Sequence, residues 1–231
     1  MKRQRGDVQV YNRPVQNYAY QPGIPKQVSM SPEKKYYDWT AAPVTLTGNT
    51  WVQIPIPIYN IVQGNGVSQR EGNAIRMYRI TLRFQVERTY GETIANRRPA
   101  MQRMMFAWDS QCNGANCVGN DIAGGSGPLA GNLFAFQNLE NADRFTVIKD
   151  KMIGFENIYA FGATSAAVAP ASRKFVKTNW QGDQIVKFKA NAGAVTDLTS
   201  YNPVCFWNLS ETPFAGTSVT VAVVGRVVFS D

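Results

Sequence analysis

The sequence predicts an all-β protein, an eight-stranded antiparallel two-sheet sandwich carrying a basic N-terminal arm. Three observations lead there. From about residue 50 the chain breaks into short runs that alternate apolar and polar residues between Gly-, Pro- and Asn-rich turns. No amphipathic helix longer than two turns can be drawn through any of them. At 231 residues with 44% apolar content, one β domain of this length buries a full core.

Taken in order, residues 1–45 read as the arm and 46–231 as the sandwich. The stretch "MKRQRGDVQVYNRPVQNYAYQPGIPKQ" is polar, tyrosine-dotted and interrupted by proline, with no period that could bury a face. Residues 1–40 hold seven Lys/Arg against three Asp/Glu, which is +4, half of the whole chain's net +8.

The predicted strands cover 50–58, 74–88, 101–109, 144–155, 172–179, 184–190, 203–209 and 217–229. Pro55 and Pro57 cannot donate to a ladder, which puts the first strand at an edge or a bulge. In the second, Tyr78, Ile80, Leu82, Phe84 and Val86 share one face while Arg79, Thr81, Arg83, Gln85 and Glu87 share the other. In the third, Met104, Phe106 and Trp108 alternate with Arg103, Met105 and Ala107. In the last, Val219, Val221, Val223, Val227 and Phe229 fall on one side, and its nearly continuous apolar character suits a central strand or one facing a neighbouring subunit. Between the third and fourth strands, residues 110–143 form a long connection rich in Gly and Asn, with "NLFAFQNLENADRF" expected as a short helix. Connections this long inside a compact domain usually serve binding or assembly.

Composition prunes the chemistry. The chain has no histidine, which removes Ser-His and Cys-His nucleophiles, imidazole acid-base catalysis and histidine metal ligation. The acidic residues show no spacing that sets two carboxylates at a glycosidase distance. "GNGVSQREG" and "GGSGPLAG" lack the Lys-Ser/Thr ending of a phosphate loop and read as turns. No enzyme activity, cofactor or metal is expected. Cys112, Cys117 and Cys205 are too few and too odd in number for a disulfide framework, and the "CNGANC" pair lacks further soft ligands. The basic N-terminus is not followed by a signal-length apolar stretch, so synthesis inside the cell is expected. "NLS" at Asn208–Ser210 then reads as a chance match to a glycosylation acceptor.

A pI near 9.5 favours an anionic partner, with nucleic acid first. The cations recur on several elements: Lys2, Arg3, Arg5 and Arg13 on the arm; Arg70, Arg76, Arg79, Arg83 and Arg88 around the second strand; Arg97, Arg98 and Arg103 next. Arg144, Lys149 and Lys151 follow, then Arg173, Lys174, Lys177, Lys187 and Lys189. No aromatic-interleaved pattern for base reading is evident among them, so sequence-independent backbone contacts are expected. Lys2, Arg3, Arg5, Arg13, Arg79, Arg83, Lys149 and Lys151 are the expected nucleic-acid-binding residues.

Four segments in order, "IVQGNGVSQREGNAIRMYRITLRFQV", "MMFAWDSQCNG", "NADRFTVIKDKMIGF" and "VVGRVVFSD", resemble capsid proteins of circular, replication-initiator-encoding single-stranded DNA viruses. In that group a similar Gly-Gln-Arg-Gly turn precedes the second strand, an Arg-Phe and Asp-Lys pair marks a middle strand, and Arg followed by Phe and Asp closes the last. The resemblance spans residues 61–231. It implies an eight-stranded jelly roll that self-assembles into an icosahedral shell of about sixty subunits. It also implies packaging of circular single-stranded DNA with the arm inside, and residence in the virion and, during assembly, in the host nucleus or cytoplasm. It leaves the host-cell receptor unspecified. The arm departs from the long arginine-rich arms common in that group, with only "MKRQR" dense in charge. A carbohydrate-binding sandwich is the alternative, with residues 110–143 and Trp108, Trp180 or Trp207 stacking on sugar rings. A single-stranded nucleic-acid binding module without a shell is a third.

Overall fold

Nine strands build two antiparallel sheets in the computed structural model, which describes residues 32–89, 100–112, 114–124, 130–155, 172–210 and 218–231. They are β1 (Lys35–Thr45), β2 (Val52–Ile54), β3 (Ala74–Thr89), β4 (Ala100–Asp109), β5 (Phe145–Phe155), β6 (Ser172–Phe188), β7 (Leu198–Ser200), β8 (Asn202–Leu209) and β9 (Ser218–Ser230). One sheet has the order β1-β9-β3-β6-β7 and the other β2-β8-β4-β5. Apart from the three-residue β7, the pairing is that of one long hairpin folded on itself: β1 with β9, β2 with β8, β3 with β6 and β4 with β5. Rolling that hairpin adds the β3–β9 and β4–β8 ladders, which is the double Greek key of a jelly roll.

The described residues hold nine strands and not eight, and several elements differ from the sequence expectation. Residues 35–45, expected as the end of an arm, form β1 against β9, and Pro32–Asp231 is one compact unit. The expected strands 172–179 and 184–190 are one strand, β6. Its "QGD" is a bulge, because Gly182 and Asp183 are accommodated opposite the single residue Tyr78 where the β3–β6 register shifts. The expected helix in 132–145 is absent; that stretch carries only a 3₁₀ turn at Leu139–Asn141, and the one short α-helix among the described residues, α1, is Gly119–Ile122. The strand expected over 50–58 does lie at a sheet edge, as β2, but it ends at Ile54, before Pro55 and Pro57.

The main core lies between the sheets. Its inner faces contribute Ile80, Leu82, Phe84 and Val86 from β3, Met104, Phe106 and Trp108 from β4, and Val219, Val221, Val223, Val227 and Phe229 from β9. Tyr78 does not join them. The β3 bulge inverts the alternation there, so Ile75 and Met77 are buried before it and Tyr78 is half-exposed, its hydroxyl 3.1 Å from Ser230 Oγ. Phe84 and Trp207 meet edge-to-face at 5.2 Å. Fully burying each such side chain is worth roughly 1.5–3 kcal/mol.

β4 is buried on both faces. A second cluster covers its outer side: Met105 and Ala107 pack with Cys117, Ile122, Ala123, Ala135, Phe145, Val204 and Phe206. The β4–β5 connection is therefore a lid on the outside of the four-stranded sheet. The outer face of the five-stranded sheet has no such cover among the described residues, and Val224 is 53% exposed on it.

Candidate nucleic-acid interface

The uncovered face is assembled by cross-strand register. Arg83 of β3 stands opposite Lys177 of β6 and, on its other side, opposite Val224 of β9. One step along, Thr81 lies between Asn179 and Arg226, and Arg226 is paired with Asp38 of β1. In the next row Arg79 lies between Gln181 and Val228, with Tyr36 beyond. Successive outward residues on a strand are two positions apart, about 6.6 Å. Asp38, Arg79, Thr81, Arg83, Lys177 and Arg226 line an open hollow of about 690 Å³ on this face.

Two of the cations are neutralised within the chain. Arg226 holds Asp38 through both carboxylate oxygens at 2.6 Å, and this guanidinium keeps the Asp38 carboxyl below its ordinary range. Arg173 bonds Glu87 at 3.1 and 3.3 Å. Arg79, Arg83 and Lys177 have no carboxylate within bridging distance among the described residues. Like charges directly opposite on a sheet destabilise it, so Arg83 facing Lys177 favours an anion close by. Two aromatic rings share the face: Phe175, 79% exposed, and Tyr36, 47% exposed with the Arg226 guanidinium 5.3 Å from its ring centre.

Of the residues expected from the sequence, Arg79 and Arg83 are brought together here. Lys149 and Lys151 are not: they are exposed on β5, the far edge of the other sheet. Lys2, Arg3, Arg5 and Arg13 lie outside the described residues. Phe175 and Lys177 complete the face, and their signal was present in "RKFVK", where Arg173, Phe175 and Lys177 fall on one side of a strand. Arg173, Phe175 and Lys177 alternate along β6, and they join Arg79 and Arg83 because β6 lies beside β3.

Other cations serve the scaffold. Arg70, 1% exposed, donates from Nε to the Ile61 carbonyl (3.1 Å), from Nη2 to that of Ala190 (2.8 Å), and from Nη1 to that of Gly72, while stacking on Phe188 at 4.3 Å. Its burial lowers the guanidinium pKa from the ordinary value, against the opposing fields of Asp197 and Asp231. Arg144 forks onto the buried carboxylate of Asp109 at 2.8 and 2.7 Å. Lys35 is clasped by Asp231 and Glu71 at 2.5 and 2.9 Å, tying the start of β1 to the end of the chain.

Of the three tryptophans offered for sugar stacking, Trp207 is fully buried and Trp108 is 4% exposed, while Trp180 is half-buried and set edge-on against Trp108 at 5.0 Å. Asn208 is also fully buried, its amide donating to the Gly131 carbonyl at 2.8 Å, so the acceptor sequence is closed to modification in the folded protein. The three cysteines are free thiols. Burial pushes Cys112 and Cys117 up to about 12, and Cys205 upward as well. Among the described residues no cluster of His, Cys, Asp or Glu is placed to hold a metal ion. No protein-family model matches the chain, and no curated protein matches it.

Proposed function

We propose that the chain is a viral capsid subunit of the circular single-stranded DNA virus type, whose uncovered sheet lies toward packaged DNA. The observation that carries this reading is Arg83 standing opposite Lys177, with Arg79 on the same face and, among the described residues, no carboxylate within bridging distance of any of the three. A single strand laid across β3 and β6 supplies phosphates to these cations and releases condensed counterions. Phe175 offers a ring on which a base stacks without regard to sequence. The jelly-roll topology suits the same role, since its two open sides leave loops and sheet edges free to meet neighbouring subunits. The resemblance adds the arm cations Lys2, Arg3, Arg5 and Arg13 as further contacts to the same cargo, while Lys149 and Lys151 lie on the other sheet.

The test is single-stranded DNA binding at several salt concentrations, with sedimentation to record particle formation. Replacing Arg79, Arg83 and Lys177 together by glutamine removes three phosphate contacts, so the log–log salt slope falls by about 2. An unchanged slope contradicts the assignment of this face, and wild-type protein that never sediments faster than a monomer contradicts the capsid reading.

A further inference from the structure

The β4–β5 connection holds apolar side chains outward. Leu133 and Ala135 are buried, and the carbonyl of each accepts a hydrogen bond from Arg103 Nη1, at 2.8 and 2.5 Å. Arg103 is in turn fixed by a two-point pair with Asp150 of β5 at 2.8 and 2.6 Å. Backbone bonds from Gly124 N to Phe136 O (3.1 Å) and from Asn138 N to Ile122 O (2.7 Å) secure the next residues. With 133 and 135 held inward, Phe134 and Phe136 stand 65% and 84% exposed, and Leu139 is 82% exposed. One apolar side chain in water is ordinary, whereas three within six residues on a braced segment mark a contact surface.

Charge identifies the occupant. Residues 110–143 contain Asp121, Glu140 and Asp143 and no lysine or arginine, so this stretch is −3 in a chain of +8 and the remainder is +11 (8 plus 3). An acidic rim repels phosphate, which excludes nucleic acid and anionic lipid from this surface. Joined to it through the Arg103–Asp150 pair is β5, an edge of its sheet among the described residues, which exposes Met152 on the lid's side and Lys149 and Lys151 on the other. An acidic apolar patch beside a basic apolar edge is self-complementary across a two-fold axis, where each half meets its opposite on the other copy.

We infer that Phe134, Phe136 and Leu139 dock a second copy of this chain along its β5 edge, with Glu140 and Asp143 facing that copy's lysines at 149 and 151. The contact rests on the capsid reading and names one of its subunit interfaces. It also gives Lys149 and Lys151 a role on the sheet that does not face DNA.

Sedimentation velocity over a range of protein concentrations tests it, on wild type, F134S/F136S, E140K/D143K, K149E/K151E and the variant combining both charge reversals. All the altered side chains lie on the surface, and circular dichroism checks that each variant folds. The first three variants are expected to need on the order of tenfold more protein to associate, with association recovered in the combined variant. Wild-type association by F134S/F136S, or no recovery in the combined variant, overturns this contact and leaves the capsid reading standing. Wild-type protein that stays monomeric overturns both.

Discussion

Arg83 and Lys177 face each other directly across the β3–β6 ladder, both exposed and neither with a carboxylate in bridging distance among the described residues. Their repulsion is a standing cost to the isolated subunit, which bound phosphate relieves. Lys177→Thr is therefore expected to stabilise the isolated protein by about 0.5 kcal/mol and, in the same variant, to lower the DNA salt slope by about 0.7. Thermal unfolding and a salt titration check the two arms. A variant that loses stability and keeps its slope contradicts the role assigned to the pair.

Trp39 anchors β1 across Gly225 of β9. A Cβ at that glycine would sit 2.1 Å from Trp39 Cζ2, and the indole, 7% exposed, is confined by the core. Gly225→Ala is expected to cost about 1–3 kcal/mol. Urea denaturation measures the loss, and faster amide exchange in β1 than in β3 locates it.

Buried Arg70 joins three carbonyls from Ile61, Gly72 and Ala190, so it ties the turn before β3 to the loop after β6. Arg70→Met removes the side-chain donor from all three acceptors and is expected to cost about 3 kcal/mol or more, at roughly 1–3 per group. Lysine restores only part of this because it lacks the planar fork. Arg79→Met on the open face should change stability by less than about 0.5 kcal/mol.

With Cys112 and Cys117 pushed up to about 12 by burial and Cys205 also raised, the native thiolate population at pH 8 is very small. An aromatic disulfide reagent is expected to leave the folded protein unmodified and to titrate three thiols in denaturant. Rapid reaction of the native protein contradicts the burial.

The strands with a full apolar face were legible because period two is a local signal: β3, β4, β8 and β9 lie within two residues of their expected bounds. β1 was hidden because it is an edge strand with only Lys35 and Trp39 buried, so its "KYYDWTAAPVT" reads as polar arm. The β6 bulge imitates a turn, since Gly182 and Asp183 are turn residues whose register is set by β3, more than a hundred positions away. The site followed the same division. Arg79 and Arg83 share a strand, and their parity was readable; Lys177 and Phe175 join them through pairing that no local pattern encodes. That Lys149 and Lys151 lie on the other sheet likewise depends on sheet order.

Electron microscopy of the purified protein mixed with circular single-stranded DNA tests the central claim most directly. Uniform closed particles that shield the DNA from nuclease are the predicted result. Dispersed single subunits at every ionic strength and protein concentration, with the DNA fully digested, would contradict it.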